Sequence, residues 1–194
     1  MSTIGNYAQT IEKTLFSTQE IGSAIERLAA EIAADYRGQP LTLVGVLKGA
    51  LYVTADLIRA LSSVADGPSE IHVDYMAVSS YGNSNRSSGE VRMLKDTMEN
   101  VADKNVVIVE DIVDNGLTLH YLQGVLRERG PMSLRSCVLF DKPYNRRVEV
   151  HVDYIGLQAP DAFVVGYGLD YQEAYRNLPY LAQLHSWVFS ESTS

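Results

Sequence analysis

Cysteine is nearly absent from this 194-residue chain, and the single Cys137 has no internal partner for a disulfide. A chain of this length buries roughly 70% of its unfolded surface on folding, so it needs neither disulfides nor structural zinc. The opening MSTIGNYAQTIEKTLFS lacks a basic n-region and an apolar h-region, which predicts no secretory signal. A reducing, cytoplasmic setting is the expectation. No apolar run approaches the ~18 residues of a membrane span. Basic residues are also in short supply, with 16 Lys and Arg against 24 Asp and Glu for a net charge of −8. Such a chain is a poor general partner for nucleic acid or an anionic membrane, and the acidity on its face argues against polyphosphate substrates too. Neither GxGxxG nor GxxxxGK[ST] occurs, and the four histidines (72, 120, 151, 185) show no metal-site spacing. No repeat, low-complexity tract or linker divides the chain, so one domain over 1–194 is expected.

What is present alternates. Ser17-Thr18-Gln19-Glu20 has capping-box spacing, and Ile21, Ala24, Ile25, Leu28, Ala29 and Ile32 follow at helical period until Gly38 and Pro40. The apolar run 41–47 suits a buried parallel strand, and 50–61 is helical in period. Strands are expected over 71–80, 105–113 and 134–140, with a helix from Leu117 that ends by Gly130-Pro131. Strand and helix alternating at these lengths predict an α/β fold whose sheet is mostly parallel, with ligands at the carboxyl ends of its strands. The segment 79–90 breaks the rhythm: five Ser, two Asn and two Gly predict either a solvated hairpin loop or a flexible lid over a bound substrate.

Glu110, Asp111 and Asp114 set three carboxylates within five residues at the end of the most buried-looking strand, where they repel one another. A helix cap from Asp114 or Asn115 would account for one acid but not three. Carboxylates beside hydroxyl-bearing residues suit a hard cation such as Mg²⁺. The adjoining Asn115-Gly116-Leu117-Thr118 opens a helix, whose backbone N–H groups favour a phosphate.

As a unit, the thirteen residues Val106 to Thr118 (VVIVEDIVDNGLT) resemble the phosphoribosyl-diphosphate signature of the type I phosphoribosyltransferases. The form VEDIVDxGLT is similar to the 6-oxopurine branch, the hypoxanthine (guanine) phosphoribosyltransferases. Leu47-Lys48-Gly49 resembles that branch's pyrophosphate loop, Ser80-Tyr81 the start of its lid, and Phe163 to Tyr171 its purine-binding segment, so the likeness runs from about Leu43 to Arg176.

The resemblance implies the type I phosphoribosyltransferase fold, a central mostly parallel sheet flanked by helices, with a small hood over about 150–190. It implies a purine salvage enzyme that transfers 5-phosphoribosyl to N9 of hypoxanthine and guanine, giving IMP or GMP and pyrophosphate. Glu110 and Asp111 would hold the ribose hydroxyls and, through them or water, one Mg²⁺. Asp114 would take the purine N7 proton, as the catalytic residue. Asn115, Gly116, Leu117 and Thr118 would bind the 5-phosphate, and Lys48 and Gly49 the pyrophosphate, in a loop that in the family often carries a cis peptide. Lys142 would donate to the 6-oxo group, which an ammonium without acceptor capacity prefers to the 6-amino group of adenine. Phe163 would stack on the base and Val164 touch its edge. Asp170 would meet a second Mg²⁺ and Arg176 the leaving pyrophosphate. Asn115 departs from the family's usual Thr, replacing a hydroxyl contact to the phosphate with an amide. A homodimer or homotetramer is the family's implication. Two other readings remain open at this point: a xanthine-preferring salvage enzyme, and a nucleotide-sensing regulator on the same fold, which should show a basic face.

Overall fold

A computed structural model describes residues 7–80 and 91–190. After a 3₁₀ turn, β1 (Ile11–Phe16) precedes α1 (Thr18–Asp35), which starts on the expected capping box, with Ser17 and Glu20 bonding each other's backbone N–H. Then follow β2 (Pro40–Leu47), α2 (Ala50–Ser62), β3 (Glu70–Ser80), β4 (Val91–Lys95), β5 (Asn105–Val113), α3 (Leu117–Arg127) and β6 (Ser133–Asp141). The chain continues through β7 (Tyr154–Gln158), β8 (Val164–Val165), β9 (Leu181–Leu184) and α4 (Ser186–Ser190).

Six strands form the main sheet in the order β4-β3-β2-β5-β6-β7, with every pairing parallel except the antiparallel edge strand β4. Burial on both faces explains why the central strands read as unbroken apolar runs: Leu43, Val44 and Val106 to Val109 are fully buried. A smaller sheet, β1-β9-β8, joins the start of the chain to its end and packs Val165, Tyr175, Ala182 and Leu184 into a second cluster.

The topology places the site. From β2 the chain crosses by α2 to β3 on one side, while from the adjacent β5 it crosses by α3 to β6 on the other. Right-handed crossovers in opposite directions set α2 and α3 on opposite faces and open a crevice between the carboxyl ends of β2 and β5.

Candidate active site

That crevice is a cavity of about 400 Å³ between the end of β2 (Val46 to Gly49) and the end of β5 with its following turn (Glu110 to Thr118), and Asp170 and Arg176 close it from the C-terminal segment. It gathers Lys48, Gly49, Glu110, Asp111, Asp114, Asn115, Gly116, Thr118, Asp170 and Arg176 on one lining.

Two close approaches fix its floor. The Leu47–Lys48 peptide is cis, and Gly49 then lies so near Asp111 that a Cβ there would stand 1.6 Å from Asp111 Oδ2. Gly168 abuts the same loop, its would-be Cβ 2.2 Å from the Gly49 carbonyl oxygen. The 166–176 segment is tied down by the Tyr167 hydroxyl, which donates to Asp56 of α2 at 2.5 Å, and by Arg176, which donates to the Gly168 carbonyl at 2.8 Å.

Helix α3 begins differently from the sequence expectation. Its N-cap is Gly116, in the left-handed region at φ 82°, not Asp114 or Asn115. A side chain with the right reach is not enough, because the turn demands a positive φ that glycine supplies without steric cost. Asn115 instead accepts the Leu117 N–H on its Oδ1 at 2.9 Å, which leaves its amide NH₂ to donate. The first intrahelical bond, His120 N–H to the Gly116 carbonyl at 2.9 Å, leaves the Thr118 and Leu119 N–H groups without an intrahelical partner at the positive end of the helix, where an anion is favoured.

The acids differ in environment. Glu110 is buried with Oε1 lacking a protein partner, and burial, reinforced by Asp111, holds its carboxyl well above the usual range against the pull of Arg146. Burial likewise pushes Asp111 up to about 6, with Asp170 adding to the rise and the Ile112 N–H and Arg176 opposing it. Asp114 keeps Oδ1 unpartnered while its Oδ2 stands 3.5 Å from Lys142 Nζ. Lys142 is nearly buried and also faces Asp161 at 3.6 Å. Lysine is usually a solvated surface residue, so this burial sets Lys142 apart. Phe163 and Val164 lie off the main cavity, at the start of β8. The Phe163 ring stacks on Phe189 at 4.8 Å between centroids and meets Tyr171 edge-on at 5.5 Å. Ser80 ends β3 opposite Val91, whereas Tyr81 and the rest of the expected lid to residue 90 lie outside the described residues.

Sequence reasoning missed Arg146. Its guanidinium donates to the Val113 carbonyl at 2.6 Å and the Lys142 carbonyl at 3.2 Å, to the Asp114 carbonyl, and pairs with Asp141. It thus holds together the two backbone segments that carry Asp114 and Lys142. The adjacent pair Arg146-Arg147 was the only local signal. Glu173 was missed as well; it pairs with Lys48 across 125 residues of sequence.

Among the described residues, no three His, Cys, Asp or Glu side chains converge closely enough to hold a metal ion by themselves. Paired carboxylates with an orphaned buried oxygen nevertheless suit Mg²⁺, which takes one or two protein carboxylates and draws its remaining oxygens from phosphates and water.

An acidic strand end, an open helix N-terminus and a cationic loop meet at this switch point, an arrangement that suits a phosphoribosyl transferase domain. The model of that family, the phosphoribosyl transferase domain, matches residues 12–172, and the chain belongs to it. Within the family it is 45% identical over 179 residues to the hypoxanthine-guanine phosphoribosyltransferase of Bacillus subtilis (strain 168), covering 92% of this chain and 96% of that one. A crystal structure of a Staphylococcus aureus hypoxanthine phosphoribosyltransferase superposes with a TM-score of 0.87 at 37% identity, covering 97% of this chain and 99% of that one. A Trypanosoma cruzi hypoxanthine phosphoribosyl transferase structure gives 0.87 at 43% identity, covering 95% and 96%.

Proposed function

We infer that this chain is a purine salvage enzyme that transfers 5-phosphoribosyl from phosphoribosyl diphosphate to N9 of hypoxanthine and guanine, releasing pyrophosphate. The observation that carries the reading is the position of Lys142, nearly buried and 3.5 Å from Asp114. The pairing sets a fixed donor for a 6-oxo group beside a carboxylate for N7, two edges of one ring.

In this reading Glu110 and Asp111 receive the ribose hydroxyls, and the first turn of α3 with the Asn115 amide and the Thr118 hydroxyl receives the 5-phosphate. Lys48, Gly49 and Arg176 receive the pyrophosphate. N9 attacks C1 of the ribose as the bond to pyrophosphate breaks, and the leaving group carries away the electron pair. Asp114 takes the N7 proton and stabilises the cationic character that develops on the ribose. Phe163 covers a face of the base, its ring held by Phe189, and the Val164 backbone meets the base edge. Mg²⁺, held by Asp111 and Glu110 through ribose hydroxyls or water and by Asp170, would offset charge on the phosphates when bound.

The net charge of −8 no longer opposes a polyphosphate substrate, since four of the acids (Glu110, Asp111, Asp114, Asp170) belong to this site. The regulator reading is disfavoured by that same acidity and by Lys and Arg that are scattered along the sequence, with Arg146-Arg147 the one adjacent pair. The single-domain organisation, the cytoplasmic setting and assembly into a homodimer or homotetramer are part of this proposal. No helix among the described residues is long and apolar enough to cross a membrane. The test is product analysis with hypoxanthine, phosphoribosyl diphosphate and Mg²⁺. The reading expects IMP and pyrophosphate in equal amounts, and a chelator should abolish both; pyrophosphate without nucleotide would refute transfer.

A further inference from the structure

The two cations assigned to pyrophosphate both line the cavity, Lys48 from the loop after β2 and Arg176 from the C-terminal segment. Both are engaged by one carboxylate. Glu173 Oε2 lies 2.8 Å from Lys48 Nζ, and Glu173 Oε1 lies 3.4 Å from Arg176, which also pairs with the Asp170 carboxylate at 2.7 Å. Glu173 sits at the tip of a two-residue turn. Gln172 and Glu173 have φ of 51° and 64°, Tyr171 and Ala174 exchange backbone bonds, and the Glu173 N–H donates to Asp170 Oδ2 at 2.9 Å. The turn therefore aims this acid at the cations by backbone geometry.

We propose that Glu173 is an affinity-setting residue for the pyrophosphate subsite, an internal carboxylate that competes with pyrophosphate for Lys48 and Arg176. The inference rests on the function proposed above. A bound pyrophosphate must contact both cations, so it must displace the Glu173 carboxylate from them. Lys48 and Glu173 are about two-thirds exposed, at 68% and 66%. Exposed pairs of this kind shift equilibria by factors of up to about five, weak enough for a multiply charged anion to win. On release the pairs re-form, so the same competition hastens departure of the product. Glu173 touches neither base nor ribose in this scheme and acts only through the two cations.

The test is calorimetric binding of inorganic pyrophosphate with Mg²⁺ to the full chain and to Glu173→Gln and Glu173→Asp, alongside steady-state kinetics. Glu173→Gln should tighten pyrophosphate binding about two- to fivefold and leave the KM for hypoxanthine unchanged. Glu173→Asp should stay near the parent, and the difference should fade in ~1 M salt, where charges are screened beyond about 3 Å. Unchanged or weaker pyrophosphate binding by Glu173→Gln, with the parent binding and turning over, would overturn this inference alone. Failure of the parent to bind pyrophosphate or turn over would overturn the proposed function together with it.

Discussion

Replacing Gly49 by alanine should cripple the site while sparing the fold. The glycine has φ −64° and ψ −40°, a helical conformation that alanine adopts without strain, so the backbone itself favours the change by about 0.5 kcal/mol. The new Cβ, however, would stand 1.6 Å from Asp111 Oδ2 and 2.6 Å from its Cγ. Ordinary contact begins near 3.4 Å, so the carboxylate and the loop must part by roughly 1.8 Å. Asp111 would swing away, losing the bond its Oδ1 accepts from the Ile112 N–H at 2.8 Å, a cost of about 1 kcal/mol. Stability should therefore change by no more than about 1 kcal/mol. Misplacing a binding group by more than 1 Å costs on the order of 100-fold in rate, which is about 2.7 kcal/mol of transition-state stabilisation. The assay is conversion of hypoxanthine to IMP with phosphoribosyl diphosphate varied, and thermal melts run in parallel. On an Asp111→Ala background, Gly49→Ala should add little, since the clash is gone. A Gly49→Ala enzyme within threefold of the parent in kcat/KM would show that Asp111 moves aside freely and would refute the role given to this contact.

Other expectations follow from the same geometry. Asp111→Asn removes a carboxyl whose pKa rises on folding from 3.8 to about 6. The folded protein holds that proton between the two values, so charging the group destabilises the parent as pH rises through 6, and the penalty is full above it. Asp111→Asn should match the parent's melting temperature near pH 3.5, gain on it as pH rises from about 4 to 6 and keep that gain at pH 7.5; a pH-independent difference would contradict the burial argument. Asp114→Asn should lower kcat by about 10²- to 10⁴-fold and leave phosphoribosyl-diphosphate binding within about threefold. Comparable losses in both would remove Asp114 as the base. Lys142→Ala should cut the preference for hypoxanthine over adenine by about tenfold or more, the worth of a charged hydrogen bond, and unchanged discrimination would refute its assignment. Arg146→Ala leaves Asp141 without its cation and takes a donor from the carbonyls of Val113 and Asp114, the first of which keeps the Lys142 N–H. It should cost about 3 kcal/mol in urea unfolding and lower kcat as well, and a stability unchanged from the parent would count against the brace.

Local sequence carried the elements whose pattern has a local cause. The strand 105–113 was legible because burial on both faces leaves an unbroken apolar run, and α1 because its capping box precedes a helical stripe. β4 was not, since VRMLK is a short edge strand whose exposed positions are Arg92 and the apolar Leu94, so its polarity does not follow its exposure. Nor was β8, whose two residues are too few to carry a period. The strand order depends on which crossovers turn left or right, and no window of residues records that. The same divide runs through the site. Glu110 to Thr118 could be read as one motif because its groups are neighbours in sequence. Arg146, Glu173 and the press of Gly49 on Asp111 could not, because each acquires its meaning from a partner tens of residues away. Gly116 lies between: the turn was expected, but the choice of cap is decided by backbone φ.

The most direct trial of the account is a base panel, with kcat/KM for hypoxanthine, guanine, xanthine and adenine measured with phosphoribosyl diphosphate and Mg²⁺. The Lys142–Asp114 arrangement predicts turnover of hypoxanthine and guanine, with adenine disfavoured by at least about 100-fold. Preference for xanthine would move the chain to the other salvage specificity, and adenine turnover rivalling hypoxanthine, or no turnover of any base, would contradict the account at its centre.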